Sequence, residues 1–315
     1  MAHRNFFSQL NLFVQSKKAG VTIWQYPQFL FLVMGIITIA AILTTYAVGI
    51  RYVPEPEIVV LIVLALSAIL LIITFTITQS FERLVEANRM KSEFVSIVSH
   101  QLRSPLSNLR WSLELLMSGR LGKIEEQQLD YFKILKDNSS RMGELVRDLL
   151  IVSRIEQGRV SLKSQEASLP DLIQGVISLS IPFTRASNVE IKFEPKNNLP
   201  KIFSDPSQLK LIIENLLDNA IRYIKEKGEV KIILERKDSR FYFEIKDNGV
   251  GIPKEDQKYI FQKFFRSSNI LKYKTQGTGL GLYITKSLIE KMGGKISFKS
   301  EENKGSTFWF SLPIK

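Results

Sequence analysis

Histidine is the scarcest reactive side chain here: the chain has 315 residues, two histidines, His3 and His100, and no cysteine. Disulfides, thiolate metal sites and cysteine nucleophiles are thereby excluded, and two histidines are too few for a histidine-rich metal centre. His100 stands in FVSIVSHQLRSPLSNLRW, where Val95, Val98 and Leu102 make an apolar stripe. At about 100° per residue, the imidazole falls on the opposite, solvated face of that helix. A neutral ring nitrogen there is a nucleophile open to an electrophile. Pro105 follows within the same helical pattern. Proline inside a helix removes a backbone hydrogen bond at a cost of ~3 kcal/mol, which asks for a reason.

Three further constellations suit an anionic, ring-bearing ligand. In QLKLIIENLLDNAIRY, residues 208–223, Asn215 and Asn219 are four apart and share one helical face. Two amide oxygens so placed can hold a magnesium that also carries phosphates; in isolation they read rather as solvated or capping helical neighbours. DNGVGIP, residues 247–253, follows the strand pattern RFYFEIK. A carboxylate at a strand end, Asp247, can accept a hydrogen bond from an adenine amino group, and Gly249 and Gly251 let the backbone approach a ring. By itself Asp-Asn-Gly is a turn. In GTGLGLYITKSLIEKMGG, Gly277, Gly279 and Gly281 precede a helix, whose N-terminal amides favour anions. No βαβ unit surrounds this stretch, so it is not the dinucleotide fingerprint.

HQLRSPL resembles the phosphoacceptor box of the sensor histidine kinases, which reads His-Glu or His-Asp and then Leu-Arg-Thr-Pro-Leu. The resemblance makes His100 the phosphorylated residue. Gln101 departs from it: an amide can orient an imidazole but is no base at neutral pH. Ser104 stands where the family has Thr or Asn, a position linked to phosphatase activity, and keeps a hydroxyl. The family's later boxes follow in order. The segment around Asn215 and Asn219 resembles the N box, with Asn219 as the expected magnesium ligand, Asn215 beside it, and Arg222 and Tyr223 for the usual Lys-Tyr pair. DNGVG, IFQKFF and GTGLGL come next, supplying Asp247, Gly249, Gly251, Gly277, Thr278, Gly279, Leu280 and Gly281. GSTFWFSLP resembles the final strand motif, with Thr307 expected near adenine. FFRSSNILKYKTQ, residues 264–276, corresponds to the mobile lid, whose Arg266, Lys272 and Lys274 could neutralise phosphates. The resemblance spans residues 83–313. It implies ATP and Mg2+ as cofactors, phosphorylation of His100, and onward transfer to an aspartate of a separate response regulator, since the sequence ends at Lys315.

These residues must be positioned by elements the pattern also announces. Two uncharged apolar runs, residues 29–50 and 58–78, are each close to the ~20 residues that cross a hydrocarbon core as a helix. Tyr26, Tyr46 and Tyr52 lie near their edges. Arg4, Lys17 and Lys18 precede the pair, and Arg83, Arg89 and Lys91 follow it, so the positive-inside bias puts both ends in the cytoplasm of a cell membrane. The net charge of +12 fits such an anionic surface; no nucleic-acid module is present, and nucleic acid is not an expected partner.

One helix is expected to run on through Pro105 to Gly119, and a second over 125–155. In the second, Leu135, Met142 and Leu149 are seven apart, with Leu145 and Val152 between them. That spacing suits a hairpin that pairs with another copy into a homodimeric four-helix bundle. Beyond it, VEIKFEP, EVKIILER, RFYFEIKD, GKISFKSE and STFWFSLP alternate as strands, and helices are expected over 206–223, 253–265 and 280–292. The fold class is thus two transmembrane helices, then an α-helical hairpin and an α+β two-layer sandwich ATP-binding domain. The expected boundaries are 1–28 for an N-terminal cytoplasmic segment, 29–78 for the membrane hairpin, 79–164 for linker and phosphotransfer domain, and 165–315 for the ATP-binding domain.

Overall fold

The computed structural model describes residues 27–193, 195–196, 199–267 and 277–314. Arg4, Lys17, Lys18, Tyr26, Lys272 and Lys274 lie outside the described residues. The chain forms two compact units. One runs up to Leu102 and takes in Glu156–Arg159; the other comprises Arg103–Ile155 and Val160–Lys315.

The first unit holds α1, Pro27–Tyr52, and most of α2, Pro56–Met117, a helix of 62 residues. Both are long and apolar enough to cross a membrane. Their large side chains face outward: Leu43 is 62% exposed and Ile72 65%. A helix in the core of a soluble protein buries such side chains.

In the second unit, α2 continues through Pro105 to Met117. The missing N–H of Pro105 leaves the carbonyl of Gln101, next to His100, without its partner four residues on. A turn containing Gly119 and Gly122 leads to α3, Glu126–Glu156. Ile151, Val152 and Ile155 at the end of α3 pack into the core of the domain that follows. Val152 is therefore buried inside its own chain and is not part of a seam with a second copy, whereas Leu135, Met142 and Leu145 are exposed.

That domain is built on a mixed five-stranded sheet. Its strands are β2 (Val189–Phe193), β4 (Gly228–Lys237), β5 (Arg240–Asp247), β6 (Lys295–Glu301) and β7 (Gly305–Pro313). Their order is β2-β4-β5-β7-β6; β2 pairs parallel with β4 and every other pair is antiparallel. Alternation explains the layering: Val230, Ile232 and Leu234 on β4, Phe241, Phe243 and Ile245 on β5, and Phe308, Phe310 and Leu312 on β7 are all buried. Phe243 stacks on Phe310 at 4.8 Å between ring centroids. Three helices supply the other layer: α4 (Leu169–Ala186), α5 (Pro206–Arg222) and α6 (Gly281–Lys291). A short antiparallel pair, β1 (Gln165–Ala167) with β3 (Ile202–Ser204), lies apart from the main sheet.

Asp205 caps α5. Its Oδ1 accepts from the N–H of Ser207 and Gln208, and its Oδ2 from Lys163, which ties the linker to this helix. The expected helix over 253–265 is absent. Asp256, Tyr259 and Gln262 donate to the carbonyls of Pro253, Asp256 and Tyr259, a chain of three-residue turns. At its end Phe264 has a φ of 62°, incompatible with helix continuation.

Candidate active site

His100, Gln101 and Ser104 are all exposed on α2; of the expected apolar stripe Val95 and Val98 are half-buried, whereas Leu102 is 44% exposed, so the stripe is not covered along its whole length. The neighbouring Ser99 is fully buried, so the chain alternates sharply between a packed face and the solvated face that carries the imidazole.

The pocket residues come together where α5, the β5–β7 end of the sheet and the start of α6 meet. Asp247 is 6% exposed at the end of β5. Its Oδ1 accepts from Gly249 N–H at 2.8 Å and from Ser306 N–H at 3.2 Å, which leaves Oδ2 for another donor. Burial pushes this carboxyl up to about 6, against the pull of those backbone bonds in the other direction. Gly249 seats against Tyr223 at the end of α5, and Val250 N–H donates to the Tyr223 carbonyl at 3.0 Å. Gly251 has a φ of +64°, and a Cβ there would lie 2.0 Å from the Glu301 carbonyl oxygen, so no side chain fits.

Thr307 does not reach this pocket. It pairs with Lys246 and Lys299 on the outer face of the sheet, the face shared with Trp309. The period of two puts its neighbour Ser306 on the inner face with Phe308 and Phe310. Ser306 is buried, its N–H bonds Asp247, and its hydroxyl lies 2.9 Å from Ser300 Oγ. Ser306 was not singled out in the sequence, although Phe308 and Phe310 two and four residues on were the signal for it.

Two asparagines of α5 have different surroundings. Asn215 Nδ2 donates to Gly281 O at 3.3 Å and to Thr285 Oγ1 at 3.4 Å, fastening the start of α6 to α5. The Asn219 amide makes no side-chain hydrogen bond among the described residues and is half-buried. Arg222 is held by Asp218 four residues earlier, with Nη2 at 2.7 Å and Nε at 3.1 Å from the same oxygen. Burial raises the Tyr223 phenol, against the charges of Arg222 and Arg266. The glycine turn before α6 is packed on the preceding segment: a Cβ on Gly279, φ +69°, would lie 2.8 Å from the Phe264 carbonyl carbon. Leu280 is the N-cap of α6 and supplies no side-chain cap, so the helix begins with open amides. Thr278 accepts from Leu280 N–H at 3.1 Å and donates to Asp148 Oδ2 of α3 at 2.9 Å.

Residues 90–158 match the His Kinase A (phospho-acceptor) domain, and residues 204–315 match the histidine kinase-, DNA gyrase B- and HSP90-like ATPase domain. Together these cover more than half of the chain. The chain belongs to the sensor histidine kinases.

Curated histidine kinases resemble it over the same stretch. Circadian input-output histidine kinase CikA of Synechococcus elongatus is 34% identical over 72% of this chain and 30% of its own length. Signal transduction histidine-protein kinase BarA of Escherichia coli K12 is 33% identical over 74% of this chain and 26% of its own. Alginate biosynthesis sensor protein KinB of Pseudomonas aeruginosa is 31% identical over 79% and 40%. The chain thus spans between 26% and 40% of the length of these relatives. Among solved structures, full-length ShkA in complex with AMPPNP superposes with a TM-score of 0.59 and 28% identity, over 70% of this chain and 46% of that one. Histidine kinase ThkA in complex with response regulator TrrA gives 0.50 and 27%, over 71% and 61%. In this kinase the C-terminal end of α5 abuts Gly249 beside Asp247, and Asn215 of α5 bonds the start of α6. No cluster of three or more His, Cys, Asp or Glu able to hold a metal occurs among the described residues.

Proposed function

We propose that the chain uses Mg-ATP to phosphorylate His100 and passes the phosphoryl group to an aspartate of a separate response regulator. Asp247 carries the nucleotide half of this reading. A carboxylate 6% exposed, bonded through one oxygen to two backbone amides, is costly unless a donor such as an adenine amino group meets the other oxygen. The glycine turn and the open amides of α6 supply the anion-binding end. Asn219, with an amide free of side-chain partners among the described residues, and the oxygen of Asn215 fit a magnesium that takes its remaining ligands from phosphates and water. Held by these two asparagines, such an ion would supply neutralisation of charge on the transferring group. The resemblance supports AMPPNP-like ligands, since ShkA was solved with one.

The chemistry asked of the protein is positioning. His100, exposed and neutral in its nucleophilic form, attacks the γ-phosphorus in line; the bond from that phosphorus to the β–γ bridging oxygen breaks, ADP leaves, and the imidazole proton is lost to solvent because Gln101 cannot take it. Transfer to a regulator aspartate then regenerates the free imidazole. Ser104 lies four residues after His100 on the same face, so its hydroxyl can orient water toward a bound regulator, which favours a regulator phosphatase activity as a second role. The exposed apolar surfaces of α1 and the first part of α2 support a multi-pass membrane anchor, the Lys and Arg residues on either side of it favour both ends in the cytoplasm, and exposed Leu135, Met142 and Leu145 support a homodimer. The lid residues Lys272 and Lys274, with Arg266, are proposed to neutralise phosphates.

The test is direct. His100→Gln should abolish acid-labile phosphorylation from labelled ATP while nucleotide binding persists. Phosphorylation that survives this change removes His100 from the mechanism.

A further inference from the structure

The glycine turn that receives phosphates in the reading above is already engaged by an anion from another part of the chain. Asp148, on α3, accepts a hydrogen bond from Thr278 Oγ1 at 2.9 Å. Thr278 is flanked by Gly277 and Gly279 and is itself bonded by Leu280 N–H at 3.1 Å. The bonds run one way, from the amide that opens α6, through the hydroxyl, to the carboxylate. Such a chain is polarised toward its charged end. The first turn of α6 has no acidic residue and no side-chain cap, so Asp148 supplies a negative charge that the helix itself does not. Its position is fixed by packing: Ile151, Val152 and Ile155, one turn and two turns further along α3, are set in the core of the ATP-binding domain. Burial works against its charge and pushes the carboxyl up, with Thr278 and Arg147 opposing. A carboxylate kept in so unfavourable a place asks for a function.

We propose that Asp148 is a positioning residue that stands in for the nucleotide's phosphates: it holds the glycine turn through Thr278, and ATP must displace it to occupy the same anion-attracting end of α6. This rests on the nucleotide reading and names its regulation. Asp148, held at the turn through the Thr278 hydroxyl, and the nucleotide's phosphates are two anions drawn to one end of α6. Nucleotide loading and release of α3 from the turn are therefore a single equilibrium, and whatever shifts α3 shifts ATP affinity in proportion. Since α3 is the second helix of the phosphoacceptor hairpin, a displacement of that hairpin reaches the nucleotide turn without any further connecting element.

The test uses the full chain in detergent or nanodiscs, with AMPPNP and magnesium, read by calorimetry. Asp148→Asn keeps an acceptor oxygen for Thr278 and removes the charge. It should bind AMPPNP about tenfold more tightly than the parent at low salt, because one like charge is removed from beside the triphosphate. The gap should narrow as salt is raised to ~0.5 M, where charge–charge terms are screened. The KM for ATP in His100 phosphorylation should fall by the same factor while kcat changes less than about twofold. A role in packing alone would leave that salt dependence absent. Equal or weaker affinity in Asp148→Asn, with unfolding temperature unchanged, overturns the proposal. Asp148→Ser, smaller and also neutral, guards against a folding artefact and should tighten binding likewise; failure of both variants to do so is decisive. A parent chain that binds no AMPPNP at all overturns the kinase reading as well, which is a different result from a parent that binds and a variant that matches it.

Discussion

At the residue scale, the proposed phosphoacceptor and the proposed adenine-binding carboxylate have opposite surroundings. His100 is exposed, whereas Asp247 is buried. With its carboxyl held at about 6 against an ordinary 3.8, Asp247 binds a proton more readily in the folded chain than in the unfolded one. The sign follows from linkage: this contribution to stability is fully present below about 3.8 and is lost as pH rises through about 6. An adenine amino group prefers the ionised form, so ligand affinity runs the other way and rises across that window. Adenosine, which lacks titrating phosphates, should therefore bind more weakly as pH falls below about 6, by up to tenfold per unit for one proton. Asp247→Asn should bind weakly at every pH, with no inflection. Calorimetry between pH 5 and 8 checks this, and a flat profile in the parent chain would show that Asp247 does not meet the base.

At the scale of elements, the segments legible in the sequence are those whose period is long or strict. The helix α2 runs through Pro105 as its apolar spacing implied, and β4, β5 and β7 keep a period of two over eight to ten residues. What escaped has physical causes. β1 and β3 are three residues each, too short to show a period. α4 begins with a Ser168 cap and Pro170, but Gly175 and Pro182 inside it mask an otherwise amphipathic helix. Residues 253–265 space Ile260, Phe261 and Phe265 as a helix would, yet Phe264 adopts a left-handed conformation and its backbone packs on Gly279. Thr307 followed from resemblance, and the alternation of Phe308 and Phe310 would have favoured Ser306. The glycine-rich loops were readable as loops; their demand for glycine is visible only in the packing. Gly251→Ala places a Cβ against Glu301 O and forces a positive φ, so it should lower stability by ~2 kcal/mol or more and weaken nucleotide binding. Gly175→Ala, in open space inside α4, should instead add ~0.5–1 kcal/mol. Thermal unfolding of both decides the matter: equal melting of Gly251→Ala and the parent would mean that the loop gives way cheaply.

At the scale of the whole molecule, the heptad stripe of α3 divides its labour between two kinds of contact. Val152 is buried in the ATP-binding domain, while Leu135 is 48% exposed, Met142 43% and Leu145 41%. Across the hairpin, Leu109 and Leu116 of α2, seven residues apart, are also exposed. Scattered exposed leucines are ordinary on a soluble surface. A run of them at a/d spacing on a helix whose partner helix shows the same is the signature of an unfilled seam. Burying each of these side chains against a second copy is worth ~1.5–3 kcal/mol, and a charge placed among them without a partner costs several kcal/mol. Met142→Glu should therefore raise the dimer dissociation constant by roughly a hundredfold or more, equivalent to ~3 kcal/mol. The fold of the chain should survive, because Met142 lies outside the buried core. Two readouts separate the seam from other roles. Sedimentation in detergent should show monomer where the parent is dimer, and AMPPNP affinity should stay within about twofold, because the packing of Ile151, Val152 and Ile155 that fixes Asp148 is left in place. Phosphorylation of His100 should then report whether the reaction needs two copies: loss at low protein concentration with recovery at high concentration means that it does. In a bilayer the defect should shrink, since anchoring raises the effective concentration of one copy near another. A Met142→Glu chain that sediments as the parent does would place the pairing surface elsewhere and leave these apolar side chains to another partner.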